Sequence, residues 1–344
     1  MDFKRIEAYL SAEVEGFLGP IVATKTPSGQ SNPTYILTTP SGKYVLRSKP
    51  AGALLKSAHA VDREFRVLKA LHNQGLPVPE VFVLCDDRAV SDTMFYLMDF
   101  SEGENYGDPR LQGLSPDNRR EIYDQMNIGL TMVHKVDLKK AGLQDYGPPG
   151  NYFERQLSRW TKQYEASATG AIPAMDGLIY WLAGNLPPDD GRVTLVHGDW
   201  RIDNLLFDKE TSSLNAILDW ELSTLGHPLA DLGAQLMQWQ MPVGAEGRGL
   251  AGVDRAALGI PTDAAYVADY AARMGHPVPD MRFYVAFSFF RMAAILQGVK
   301  KRALDGNASN PEKGLRLGAF VGRFAAAGLA QAEGKADDNR VGIT

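Results

Sequence analysis

Apolar residues recur along this chain with two different periods, and the change of period divides it. Over residues 3–18, Phe3, Ile6, Leu10, Val14 and Phe17 fall three or four apart, which predicts an amphipathic helix ended by Gly19-Pro20. Short runs follow. Residues 21–25, 34–38 and 44–47 predict strands, with Pro40-Ser41-Gly42-Lys43 as a hairpin turn. A helix over residues 61–73, buried on Val61, Phe65, Leu68 and Leu71, precedes two more strands at 81–84 and 95–99. From about residue 101 the period is helical. Ser115-Pro116 opens a helix whose inner side is Ile122, Met126, Leu130 and Val133. Further helices are predicted around Phe153–Tyr164 and over 175–186, 229–239, 281–304 and 311–330, with another capped by Thr262. The Gly-rich residues 241–261 read as either a substrate lid or a plain loop. The pattern is α+β: a small antiparallel-sheet lobe with one main helix over 1–100, a larger, mostly helical lobe over 101–333, and a flexible tail over 334–344.

Between the helical stretches lies one segment of another kind, residues 195–221: L-V-H-G-D-W-R-I-D-N-L-L-F-D, a polar turn, then L-N-A-I-L-D-W-E. Asp199, Asn204 and Asp219 stand at the ends of short β-like segments at 195–196, 205–207 and 214–218, with 208–213 as the turn. A hairpin of this length carries Asp219 back toward Asn204, although fifteen residues separate them. One carboxylate can accept a hydroxyl proton, while the other and the amide oxygen suit Mg²⁺, a hard cation that prefers oxygen. Together they are equipment for moving a phosphoryl group. Asp and Asn also favour turns, which would explain each of the three alone but explains the set poorly.

The spacing of His197-Gly198-Asp199 to Asn204 is that of the protein-kinase catalytic loop, and Asp219 of D-W-E stands where that fold carries its metal-binding Asp. With G-Q-S-N-P-T-Y, Y-V-L-R and G-H-P-L-A-D-L-G, the chain resembles the aminoglycoside phosphotransferase and choline kinase group over about residues 20–330. Within it the chain is most similar to the phosphotransferase domains associated with acyl-CoA dehydrogenases. The resemblance implies a bilobal protein-kinase-like fold that binds ATP and Mg²⁺ between its lobes. Asn204 and Asp219 would hold the metal and Asp199 would serve as base. Arg201 would neutralise the transferred phosphoryl group or bridge a nearby acid. Arg47 would pair with the inner phosphates, standing in for the usual Lys with a different, forked geometry. Glu64, with Glu80 as its rival, would pair with Arg47. Met98, Asp99 and Phe100 would line the adenine pocket. Gly29, Gln30, Ser31 and Asn32 belong to a small polar loop that would fold over the phosphates or be a plain hairpin loop. Asp231 is expected to be structural, bracing the catalytic loop. His197 and His134 are expected to pack rather than react.

Composition narrows the chemistry. The 344 residues carry a net charge of −5 and a pI near 5.7, which argues against a general nucleic-acid or membrane-surface binder. The single cysteine, Cys85, rules out an internal disulfide. The N-terminal residues lack a signal-peptide core, and no apolar run has membrane-spanning length, so a cytoplasmic protein is expected. About ten residues separate Asp219 from the helix at Leu229, too few for the peptide-docking segment of a protein kinase. The acceptor is therefore expected to be a small molecule bearing a hydroxyl. The resemblance makes a hydroxyacyl-CoA-type compound the first candidate, with an aminoglycoside or amino alcohol as alternatives. Glu102, Glu104 and Asp108 offer a thin acidic patch for a polycation. A non-catalytic nucleotide-binding protein and a metal-dependent hydrolase are the remaining readings.

Overall fold

A computed structural model describes residues 1–26, 32–50, 60–148, 150–244, 248–308 and 310–335. In chain order the elements are α1 (Phe3–Glu13), β1 (Val22–Lys25), β2 (Thr34–Thr39), β3 (Gly42–Ser48), α2 (Val61–His72), β4 (Val81–Cys85), β5 (Phe95–Asp99) and α3 (Pro116–His134). Then come α4 (Tyr152–Ala166), α5 (Pro173–Gly184), β6 (Thr194–Val196), β7 (Leu205–Phe207), β8 (Leu214–Ile217), β9 (Thr224–Gly226) and α6 (Leu229–Trp239). The chain closes with α7 (Arg255–Leu258), α8 (Asp263–Met274), α9 (Arg282–Leu304), α10 (Pro311–Gly318) and α11 (Val321–Ala332).

Contacts gather these elements into two compact units, neither of which is a single stretch of sequence. The first comprises Met1–Asn105, Val136–Asp145 and Asn204–Ser223. Its sheet is antiparallel in the order β1-β2-β3-β5-β4, and α1 lays Ile6 and Leu10 against Leu37, Leu46, Phe95 and Leu97. Cys85 is 2% exposed in this core and packs as a small apolar residue. Asp2 caps α1 by accepting from the Lys4 and Arg5 amides. The helix expected over 3–18 stops at Glu13, because Val14 turns extended and Gly16 adopts φ 77°. Val14 and Phe17 nevertheless stay buried, so the apolar period outlasts the helix. The β7–β8 hairpin is tied to this unit by the Ile217 amide donating to Pro77 O at 2.8 Å and by paired backbone bonds between Glu104 and Phe207.

The second unit comprises Tyr106–Lys135, Tyr146–Asp203 and Thr224 onward. Helix α9 runs through its centre, burying Ala286, Phe289, Phe290 and Ala293. A Cβ on Gly233 of α6 would lie 2.7 Å from Tyr284 O, so glycine is what allows α6 and α9 to touch there. Ser115 caps α3 by accepting from the Asn118 amide at 3.1 Å, and Thr262 caps α8 in the same way from Ala265, as their sequence predicts. The helix expected over 311–330 is two helices. Gly318 closes the first, where a Cβ would lie 2.5 Å from Lys300 Cβ. Residues 241–261 hold the one-turn helix α7, and residues 245–247 among them lie outside the described set, as do 336–344 of the expected tail. Among the described residues no helix is long and apolar enough to cross a membrane.

Candidate active site

In the first unit the decisive feature is the conformation of the turn after β8. Register pairs Leu205 with Ile217, and one step further the Leu218 amide donates to Asn204 O at 2.8 Å. The hairpin therefore delivers Asp219 beside Asn204, as the sequence predicts. Asp219 adopts φ 63° and ψ 65°, a left-handed conformation that Asp tolerates better than most residues but that still costs energy. The neighbours hold it there. Trp220 is 1% exposed and donates its indole N–H to Ile217 O at 2.9 Å, while the Ser223 hydroxyl donates to Trp220 O at 2.6 Å.

Arg47 reaches this turn from β3. Its Nη2 lies 2.8 Å from Asp219 Oδ1 and 3.3 Å from Glu221 Oε2, and its Nε lies 3.0 Å from Glu64 Oε2 of α2. Glu64, and not Glu80, is thus the helix partner of Arg47. Glu221 also accepts from Asn32 Nδ2 at 3.3 Å. Burial lifts the Glu64 carboxyl from its ordinary 4.5 to about 7, against the pull of Arg47 and with a push from Asp219 and Glu221. For Arg47 burial works against the charge, yet Glu64 and its other anionic neighbours hold the guanidinium well above its usual range. Glu221 is the member of this cluster that sequence reasoning gave no role. Its signal was there, as the second acid of D-W-E.

Gly29, Gln30 and Ser31 lie outside the described residues, while Asn32 is 1% exposed. Met98 and Asp99 close β5, an inner strand flanked by β3 and β4, and Phe100 follows it. The Asp99 amide donates to Glu80 O at 2.8 Å, and Lys43 lies 5.3 Å from the centre of the Phe100 ring.

In the second unit, β6 leads into His197-Gly198-Asp199. The loop is hung on Asp231 of α6, whose Oδ2 accepts from the His197 amide at 2.7 Å and whose Oδ1 accepts from the Gly198 amide at 2.8 Å. Asp231 is 1% exposed, and although burial pushes its carboxyl up, His134 and the loop amides bring it below the usual range. His134 Nε2 lies 3.3 Å from the same Oδ2, and its Nδ1 lies 2.7 Å from the Tyr270 hydroxyl. The expectations that Asp231 braces the loop and that His134 packs agree with this buried network. His197 is fully buried, edge-on to Trp200, and its Nδ1 accepts from the Asp199 amide at 3.3 Å.

Arg201 bridges acids, with Nη2 3.3 Å from Asp199 Oδ2 and Nε 3.3 Å from Asp203 Oδ1. Arg248, from the 241–261 segment, pairs with Asp203 as well. Arg291 of α9 donates to Gly198 O at 3.2 Å. Neither Arg248 nor Arg291 was singled out from sequence, because nothing local ties a distant helix or loop to this turn. Of the acids expected to make a patch for a cationic acceptor, Asp108 is spent on its neighbour Arg110 at 2.7 Å.

The family model for a phosphotransferase enzyme family matches residues 22–284, well over half of the chain. The chain belongs to the phosphotransferase enzyme family. Acyl-CoA dehydrogenase family member 10 of Mus musculus is 49% identical to this phosphotransferase-family chain over 294 residues, covering 85% of the chain but 27% of the mouse protein. The chain spans between 27% and 41% of the length of the first curated relatives it matches. A crystal structure from Ralstonia eutropha, described as a candidate aminoglycoside phosphotransferase, is 45% identical with a TM-score of 0.88, covering 98% of this chain and 99% of that one. The spectinomycin phosphotransferase APH(9)-Ia, solved with ADP and spectinomycin, shares the fold at 13% identity and a TM-score of 0.63, covering 95% of this chain and 98% of that one. The small antiparallel sheet, the helical remainder and these likenesses together establish the kinase-like fold.

Proposed function

We propose that the protein is an ATP- and Mg²⁺-dependent kinase that moves the γ-phosphoryl group to a hydroxyl of a small molecule, a hydroxyacyl-CoA-type compound being the first candidate. The observation that carries this reading is the turn at Asp219, which brings the backbone of that residue beside Asn204 and its carboxylate to Arg47. The donor set suits the metal. Around Arg47 the acidic groups of Glu64, Asp219 and Glu221 face one guanidinium, so that even with Glu64 protonated two carboxylates outnumber it, and Asp219 and Asn204 offer hard oxygens. Mg²⁺ held there would neutralise charge on the phosphates. Arg47 would exchange its contacts with Asp219 and Glu221 for the inner phosphate oxygens, while Glu64 keeps the guanidinium aimed. Asn32, steadied by Glu221, and the loop residues Gly29, Gln30 and Ser31 are the further nucleotide contacts of this reading, with Met98, Asp99 and Phe100 against the adenine.

Asp199 accepts the acceptor's hydroxyl proton. Its backbone is fixed through Asp231 and its carboxylate is oriented by Arg201, so its position does the work. Arg201 lies close enough to Asp199 to meet negative charge gathering on the transferred group. The covalent link is short, since Asp199 and Asn204 are five residues apart.

The acyl-CoA dehydrogenase relatives favour the hydroxyacyl-CoA acceptor. The Ralstonia likeness keeps an aminoglycoside in contention. ADP release should be measured across hydroxyacyl-CoAs, amino alcohols, sugars and aminoglycosides, with phosphate release without acceptor as the control for a hydrolase. Acceptor-dependent ADP release that Asp199→Asn abolishes is expected. An Asp199→Asn variant as fast as the parent would remove Asp199 from its role, and nucleotide binding without turnover on any acceptor would leave a binding protein.

A further inference from the structure

Beside the catalytic loop the second unit holds arginines with no acid to answer them. Arg155 and Arg159 stand four residues apart on one face of α4, where like charges repel. Arg291 approaches from α9, and its guanidinium lies 6.0 Å from the centre of the Trp160 ring, whose other cationic neighbour is Arg159 at 5.3 Å. Among the described residues, none of the three lies within 4.0 Å of a carboxylate, although Glu154 and Glu165 share the helix. Most other arginines near this loop are paired: Arg201 with Asp199 and Asp203, Arg248 with Asp203. The Nε of Arg155 is buried and has no hydrogen-bond partner. The buried Tyr152 hydroxyl lies in the field of all three cations and, opposing them, of the buried Asp231 carboxylate. Through Arg291 the cluster touches Gly198 O, one residue before Asp199.

Guanidinium groups on one helix face and beside one aromatic ring, held without a carboxylate partner, raise the local potential, and their forked geometry matches the oxygens of a phosphate. We propose that Arg155, Arg159 and Arg291 form a binding site for a phosphate group carried by the acceptor, which sets the acceptor's hydroxyl at Asp199. The site deepens the kinase reading and rests on it. It selects polyanionic acceptors and rejects the polycations that aminoglycoside kinases take.

The test uses the full chain and its Arg155→Gln, Arg159→Gln and double variants, each checked for an unchanged thermal melt. Arg159→Lys serves as the variant that keeps charge. Calorimetric titration uses coenzyme A and inorganic pyrophosphate as probes, and Mg–AMP-PNP separately. Both phosphate probes should bind the parent. Binding should weaken at least tenfold in the double variant and recover in part with Arg159→Lys, while Mg–AMP-PNP affinity holds. Tighter binding of coenzyme A than pyrophosphate identifies a carried phosphate; the reverse order identifies a free-phosphate site and overturns the proposal. So does parent-like binding of both probes by the double variant, or competition between coenzyme A and Mg–AMP-PNP. If the probes bind through the arginines but no acceptor yields ADP, the kinase reading falls and the phosphate site stands. If ADP release is brisk and indifferent to the variants, the kinase stands and this site falls.

Discussion

Glu64 allows the electrostatics of the first unit to be tested by stability alone, before any substrate is known. The perturbation is Glu64→Gln, which keeps the shape of the side chain and removes its charge. Burial holds the native carboxyl near 7 against an ordinary 4.5. Between those values the folded protein keeps a proton that the unfolded chain has lost, so stability must fall as pH rises through the interval. Displacement of that size corresponds to about 3 kcal/mol, fully lost above pH 7. The Gln variant has no such proton. At pH 5 parent and variant should be of nearly equal stability, and at pH 8 the parent should be the weaker by up to about 3 kcal/mol. In a chain of this size that is roughly 5–10 °C in melting temperature. Paired thermal and urea unfolding at pH 5 and pH 8 measures it. Should the parent instead be the more stable at pH 8, Arg47 at 3.0 Å has outweighed desolvation, Glu64 is ionised in the native state, and the reasoning fails.

Three further outcomes are expected. Asp199→Asn should lower kcat by about 10²–10⁴-fold in a coupled ADP assay while leaving KM for ATP within a small factor. Asp219→Asn should abolish the Mg²⁺-dependent part of the thermal stabilisation given by AMP-PNP, and a shift equal to the parent's would remove Asp219 from the metal. Asp231→Asn puts an amide where a buried carboxylate accepts from two loop amides; a loss of about 1–3 kcal/mol in urea unfolding is expected, together with a fall in kcat larger than any change in KM for either substrate.

What the sequence could say depended on how locally each feature is encoded. The β7–β8 hairpin was legible because apolar runs, a polar turn and two end residues all lie within the stretch that folds, and the observed register puts Asp219 beside Asn204. The caps at Ser115 and Thr262 were legible for the same reason. The end of α1 was not: Val14 and Phe17 keep the helical period because the core needs them buried, and only the backbone at Gly16 reveals that the helix has already stopped. Contacts between segments far apart in sequence were legible only through resemblance, as with Arg47 and Glu64, or not at all. Arg248 and Arg291 come from a loop and a helix about 45 and 90 residues beyond the turn they touch, and periodicity reports which face of a helix is apolar, not which cation on it meets a particular carbonyl. The Tyr270–His134–Asp231 chain is the sharpest case. Each of its members reads locally as an ordinary helix residue, and only three helices meeting in one place make them a scaffold for Asp199. That scaffold also bears on the proposed role of Asp199: the placement of this half-buried aspartate is supplied by groups buried behind it, which lie on helices far from the motif in sequence.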